Sequence, residues 1–120
     1  MDSLPRLTPE PGSTPDGVIA TAVWDAVLQA VKITWTASAD ANLSAYQIRF
    51  CAGPNYSTDN ETVLGSVDPA AAREFVTSTG LSDPGIVVSF KVYVITSTGN
   101  EKGSNTVTVT RPRGGPGWLL

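Results

Sequence analysis

Apolar and polar residues alternate with a period of two along most of this chain, and that pattern commits it to β-strands with one buried face. Val31, Ile33 and Trp35 alternate with Lys32, Thr34 and Thr36. Tyr46, Ile48 and Phe50 alternate with Gln47, Arg49 and Cys51. The longest run sets Val88, Phe90, Val92 and Val94 against Ser89, Lys91, Tyr93 and Ile95. Near the end, Val107 and Val109 alternate with threonines. Turn-forming residues punctuate these runs: Asp40 to Asn42, Gly53-Pro54-Asn55, Asp83-Pro84-Gly85 and Thr98-Gly99-Asn100. A first strand over residues 18–24 and weaker ones over 62–67 and 75–79 bring the expected count to seven. Short strands joined by tight turns predict an all-β, antiparallel, two-sheet sandwich. Only residues 68–74 have helical character, with Asp68 as cap and Pro69 in the first position.

At 120 residues with 41% hydrophobic content, the chain is sized for one domain with one core. Trp35, Tyr46, Ile48, Phe50, Leu81, Phe90, Val92 and Val94 are the expected core. The single cysteine, Cys51, has no partner for an internal disulfide, so packing must carry stability. It reads as a small apolar residue at a strand end.

Several of these residues fall in a family order. Trp35 ends Val31-Lys32-Ile33-Thr34-Trp35, Tyr46 opens the next strand, Leu81 precedes the turn at Pro84-Gly85, and Gly99, Gly103 and Ser104 lead to Val107 and Val109. From about residue 18 to 110 the chain resembles a fibronectin type III domain, a seven-stranded immunoglobulin-like sandwich. One departure is plain. That family begins its sixth strand with a tyrosine whose hydroxyl ties the preceding corner, and here the register puts Val88 in that place. The corner bond is absent or made by another group, with Asp83 one candidate. The family's integrin-binding Arg-Gly-Asp tripeptide does not occur, so that activity does not carry over.

The composition excludes most catalysis. There is no histidine, which removes histidine-dependent triads, Cys–His pairs and the commonest transition-metal ligand. Phosphate-cradling glycine motifs are absent. Asp59 and Glu61 form the closest carboxylate pair, in a polar stretch over residues 55–61 that reads as a solvated loop. No cofactor, metal or small-molecule substrate is expected, and the chain does not read as an enzyme. Net charge is −3, which disfavours nucleic acid. Arg111 and Arg113 are the nearest thing to a basic stripe and read as a solvated end. No apolar run reaches the roughly 20 residues of a membrane span. The start lacks a basic head and apolar middle, so no secretory signal is expected.

The ends differ from the middle. Residues 1–16 form a proline-rich arm with Pro5, Pro9, Pro11 and Pro15, the sandwich occupies 17–110, and 111–120 is a Gly/Pro arm ending in Trp118, Leu119 and Leu120. Such arms are extended and stay out of sheets. Pro5, Pro9, Pro11, Arg111, Arg113, Trp118, Leu119 and Leu120 are therefore the candidate protein-binding residues. The expected function is a non-catalytic, protein-binding structural module. By resemblance to small sandwich modules of tailed phages, a virion decoration or tail protein is the expected setting. The alternative is an extracellular spacer or adhesion module cut from a secreted bacterial carbohydrate-active enzyme or adhesin.

Overall fold

The computed structural model describes residues 15–113. They form β1 (Ala20–Asp25), β2 (Ala30–Trp35), β3 (Leu43–Ala52), β4 (Thr62–Val67), β5 (Glu74–Thr77), β6 (Val87–Thr96), β7 (Glu101–Gly103) and β8 (Val107–Thr110), with one 3₁₀ turn at Thr58–Asn60. Strands β1, β2 and β5 make one antiparallel sheet in the order β1-β2-β5. The other runs β4-β3-β6, with β7 and β8 both paired to β6. The two-layer sandwich expected from the period-two pattern is present.

The strand count differs by one because the last strand is interrupted. At the break, Ser104 Oγ accepts from the Val92 N–H at 2.9 Å, in place of a ladder carbonyl. Asn105 then leaves the ladder and turns to the other sheet. Its amide accepts from the Ala20 N–H at 2.9 Å and donates to the Ala20 carbonyl at 3.1 Å. The break thus lets one side chain act as a strand partner for β1, stitching the two layers together. The helical turn expected over residues 68–74 does not form. Asp68 Oδ1 accepts from the Ala70 N–H, and the Asp68 carbonyl from Ala71 N–H, closing a tight turn that leads straight into β5.

The core is where the alternation puts it. Val31, Ile33, Ile48, Phe90, Val92 and Val94 are wholly buried, with Trp35, Tyr46, Leu81, Val88 and Val109 beside them. Trp35 meets Tyr46 edge to face at 5.4 Å between ring centres, a favoured aromatic geometry. The Tyr46 hydroxyl accepts from the Ser38 N–H at 2.9 Å, so its polar end is satisfied. Phe50, expected in the core, is only half buried and packs at its margin, 6.1 Å from Phe90. Gly80 is required there: its φ is +75°, and a Cβ would stand 2.7 Å from the Phe50 ring.

The tyrosine-corner position is held by buried Val88, and an arginine from the far end of the chain ties the corner instead. Arg111 donates to the carbonyls of Leu81 at 2.7 Å and Ser82 at 2.9 Å. Asp83 offers its backbone carbonyl, to the Ile86 N–H. Strand pairing also runs past β8, since the Arg111 N–H donates to Ile86 and its carbonyl accepts from Gly85. β1 and β8 lie side by side and run the same way. Asn105 holds the start of β1, while the Arg111 guanidinium lies over the Trp24 ring near its end, 5.4 Å from the centre. The chain therefore enters at one pole of the sandwich and leaves at the other.

Candidate functional site

Two places concentrate chemistry. The first is the outward face of β3 and β6, where alternation puts Gln47, Arg49 and Tyr93. Arg49 is buried to 8% exposure, and a buried charge needs partners. It has them. Nε donates to Gln47 at 2.6 Å, Nη1 to Glu61 and Glu101 at 2.9 Å, and Nη2 to Glu101 at 2.8 Å. The guanidinium also stacks on the Tyr93 ring, 3.8 Å from its centre. Glu61 in turn accepts from the hydroxyls of Tyr56 and Tyr93.

Each ionisable group feels this crowding. Burial pushes the Glu61 carboxyl up, but hydrogen bonds from Tyr56, Tyr93 and Arg49 outweigh it and hold the group below its ordinary range. Glu101 is held low by its hydrogen bonds from Arg49, against some desolvation. Desolvation, then hydrogen bonding to Glu61, raises the Tyr56 and Tyr93 phenols. The Glu101 hydrogen bond, against desolvation, keeps Arg49 firmly charged. What this arrangement does is fasten the loop of residues 53–61 to the sheet. The solvated-loop reading of 55–61 is thereby corrected: the Tyr56 and Glu61 side chains fold back, and the Cys51 thiol donates to the Ser57 carbonyl beneath them at 3.2 Å. Cys51 is buried at its strand end. Among the described residues no group of three or more His, Cys, Asp or Glu is placed to hold a metal.

The second place is the pole where the chain leaves. Trp24, Ala26, Gln29, Pro84, Arg111, Pro112 and Arg113 line an open groove of about 270 Å³. Beside it stands the β1–β2 hairpin tip. Asp25 Oδ1 accepts from the Val27 and Leu28 N–H groups, and Gln29 takes a left-handed φ of +53° to close the turn. That geometry leaves Val27 92% and Leu28 55% exposed.

Of the candidate binding residues, the structure brings Arg111 and Arg113 into this groove. The solvated-end reading is corrected for Arg111, which is partly buried, while Arg113 remains exposed. The Arg111 guanidinium is committed to Leu81, Ser82 and, at 3.2 Å, Gln29, and the Arg113 guanidinium lies against Gly85. Pro5, Pro9, Pro11, Trp118, Leu119 and Leu120 lie outside the described residues. Sequence reasoning missed Arg49, Tyr56, Glu61, Tyr93 and Glu101 as a set. Their one legible signal was an arginine and a tyrosine on the outward phase of the two longest strands. No helix among the described residues is long and apolar enough to cross a membrane.

No family model matches the chain, and no curated protein matches it. Solved structures do. A human fourth FNIII domain is 23% identical with a TM-score of 0.65, over 87% of this chain and 85% of that one. An Fn3-like protein from Clostridium thermocellum is 16% identical at 0.62, over 84% and 97%. Pectate lyase PelI from Erwinia chrysanthemi is 16% identical at 0.63, over 78% of this chain and only 27% of the lyase chain. At such identities the likeness is one of fold, and the fold is the fibronectin type III sandwich.

Proposed function

We propose that this chain is a non-catalytic spacer and protein-contact module, which holds the parts joined to its two ends at a set separation. The observation that carries this reading is the placement of entry and exit at opposite poles of one rigid sandwich. A body threaded in that way works as a bead in a longer line. Fold alone does not assign function, but the rest of the surface agrees. Among the described residues, the main polar cluster spends its hydrogen bonds on its own members.

The host we favour is a larger secreted protein, a carbohydrate-active enzyme or adhesin. A region of this fold makes up about a quarter of the PelI chain, so such a sandwich does accompany a larger enzyme. The sequence-based expectation of a virion subunit, anchored by residues 1–16 and 111–120, draws no support from the structural neighbours. Mass measurement of the native species carrying this chain tests both. One longer polypeptide supports the spacer. A many-subunit particle, from which chains lacking residues 111–120 are lost, supports the virion reading. A free native monomer of this chain overturns both.

A further inference from the structure

We infer that Asn42 is an acceptor for an N-linked oligosaccharide, a role that rests on the secreted host proposed above. Three stretches carry the acceptor pattern of asparagine, a residue other than proline, then serine or threonine: Asn42-Leu43-Ser44, Asn55-Tyr56-Ser57 and Asn60-Glu61-Thr62. The fold sorts them. A transferase must draw such a stretch off the surface and hold both its amide and its hydroxyl. Around Asn55 and Asn60 that is obstructed. Ser57 Oγ accepts from the Asp59 N–H, and the Ser57 carbonyl accepts from the Asn60 N–H and the Cys51 thiol. Tyr56 and Glu61 belong to the Arg49 network. Lifting either stretch away breaks the fastening of the loop of residues 53–61.

The stretch at Asn42 is built differently. Asn42 and Ser44 are both exposed. The Leu43 N–H donates to the Asp40 carbonyl at 3.4 Å, closing a turn, and the Asn42 carbonyl accepts from the Ser97 N–H at 2.8 Å. Ser44 is the extra residue of a bulge: Leu43 faces Thr96 and Ala45 faces Ile95, which leaves Ser44 without a partner on β6. Pairing of β3 with β4 starts only at Tyr46. Local opening of residues 40–45 therefore spares the paired length of β3 and the core beneath it. Asp40 adds a charge. The donor for this chemistry is a lipid-linked oligosaccharide, a polyprenyl diphosphate ester, and a site that holds its anion is cationic. A carboxylate two residues before the acceptor suits that field, whereas Asn55 and Asn60 have Gly53 and Thr58 in that place. In the transfer, Asn42 Nδ2 forms a bond to the anomeric carbon of the first sugar. The bond from that carbon to the diphosphate oxygen breaks, the polyprenyl diphosphate leaves with the electron pair, and one amide proton passes to solvent.

The test incubates the folded full chain with a bacterial oligosaccharyltransferase and its lipid-linked oligosaccharide, and reads intact mass and glycopeptide maps. The expected result is the mass of one added glycan, mapped to Asn42, with Asn55 and Asn60 unmodified. Asn42→Gln and Ser44→Ala should each abolish transfer, and Asp40→Ala should slow it about tenfold, the loss of one charge-assisted contact. Circular dichroism checks that each variant keeps its sheet content. A peptide of residues 38–48 is the control for the bare pattern. Transfer to that peptide but not to the folded chain overturns the inference, because the fold would then withhold the site. Transfer to neither overturns it as well. So does transfer to Asn55 or Asn60 at the rate of Asn42, because the fold would then select nothing. This readout does not depend on the host: the native mass decides the secreted reading, and glycan transfer decides the acceptor.

Discussion

Trp35, the last residue of β2, is a large buried side chain at one end of the core and meets Tyr46 from the other sheet. Removing it leaves a cavity that a two-sheet core cannot close. Trp35→Ala should cost about 3–5 kcal/mol by urea denaturation. Its indole nitrogen has no hydrogen-bond partner, so Trp35→Phe gives up volume but no bond and should cost well under half as much. Ser89 is similar: wholly buried on β6, with an unpartnered hydroxyl. Ser89→Ala should leave stability unchanged or raise it by up to about 1 kcal/mol in the same assay, since an orphaned buried hydroxyl is a cost. Arg111 is the opposite case. Arg111→Ala releases two corner carbonyls at once and should lose about 2 kcal/mol, the scale of charge-assisted hydrogen bonds. An unaltered denaturation midpoint there would show that the corner is held elsewhere.

At the scale of elements, the sandwich was readable and the network on its outer face was not. Alternation exposes a strand to view because burial of one face repeats every second residue. Trp35, Ile48, Phe90 and Val94 therefore announced themselves. The Arg49 cluster has no period. Its members come from β3, β6, the loop of residues 53–61 and β7, and their meeting depends on strand order, which no local spacing encodes. The split between β7 and β8 was hidden for the same reason, as the gain from Asn105 lies across the sandwich at Ala20. The network has a pH signature. Glu61 and Glu101 are held below their ordinary range, while unfolded glutamates titrate at about 4.3. Their contribution is therefore full above that value and is lost as pH falls through the folded values. Thermal melts should decline below about pH 4.5, and Glu61→Gln should flatten that decline. Tyr56 and Tyr93 are raised, so they stabilise below the unfolded phenol value of about 10. That contribution fades as pH rises through the folded values, which steepens the alkaline limb of the same melts.

For the whole molecule, packed residues extend at least from Pro15 to Arg111. Pro15 and Val18 are buried at one pole, and Arg111 is still paired to Ile86 at the other. A fragment of residues 15–113 should melt in one cooperative transition, as single small domains do, with coincident far-ultraviolet and fluorescence traces. Divergent traces would show that the sandwich is not one unit.

The amide of Asn105 gains a mechanical meaning from this layout. A pull on both ends of the chain drags β1 and β8 in opposite directions along their shared length. The paired bonds from Asn105 to Ala20 are then strained together rather than unzipped in turn, so the seam between the layers shares the tension with the ladders on either side.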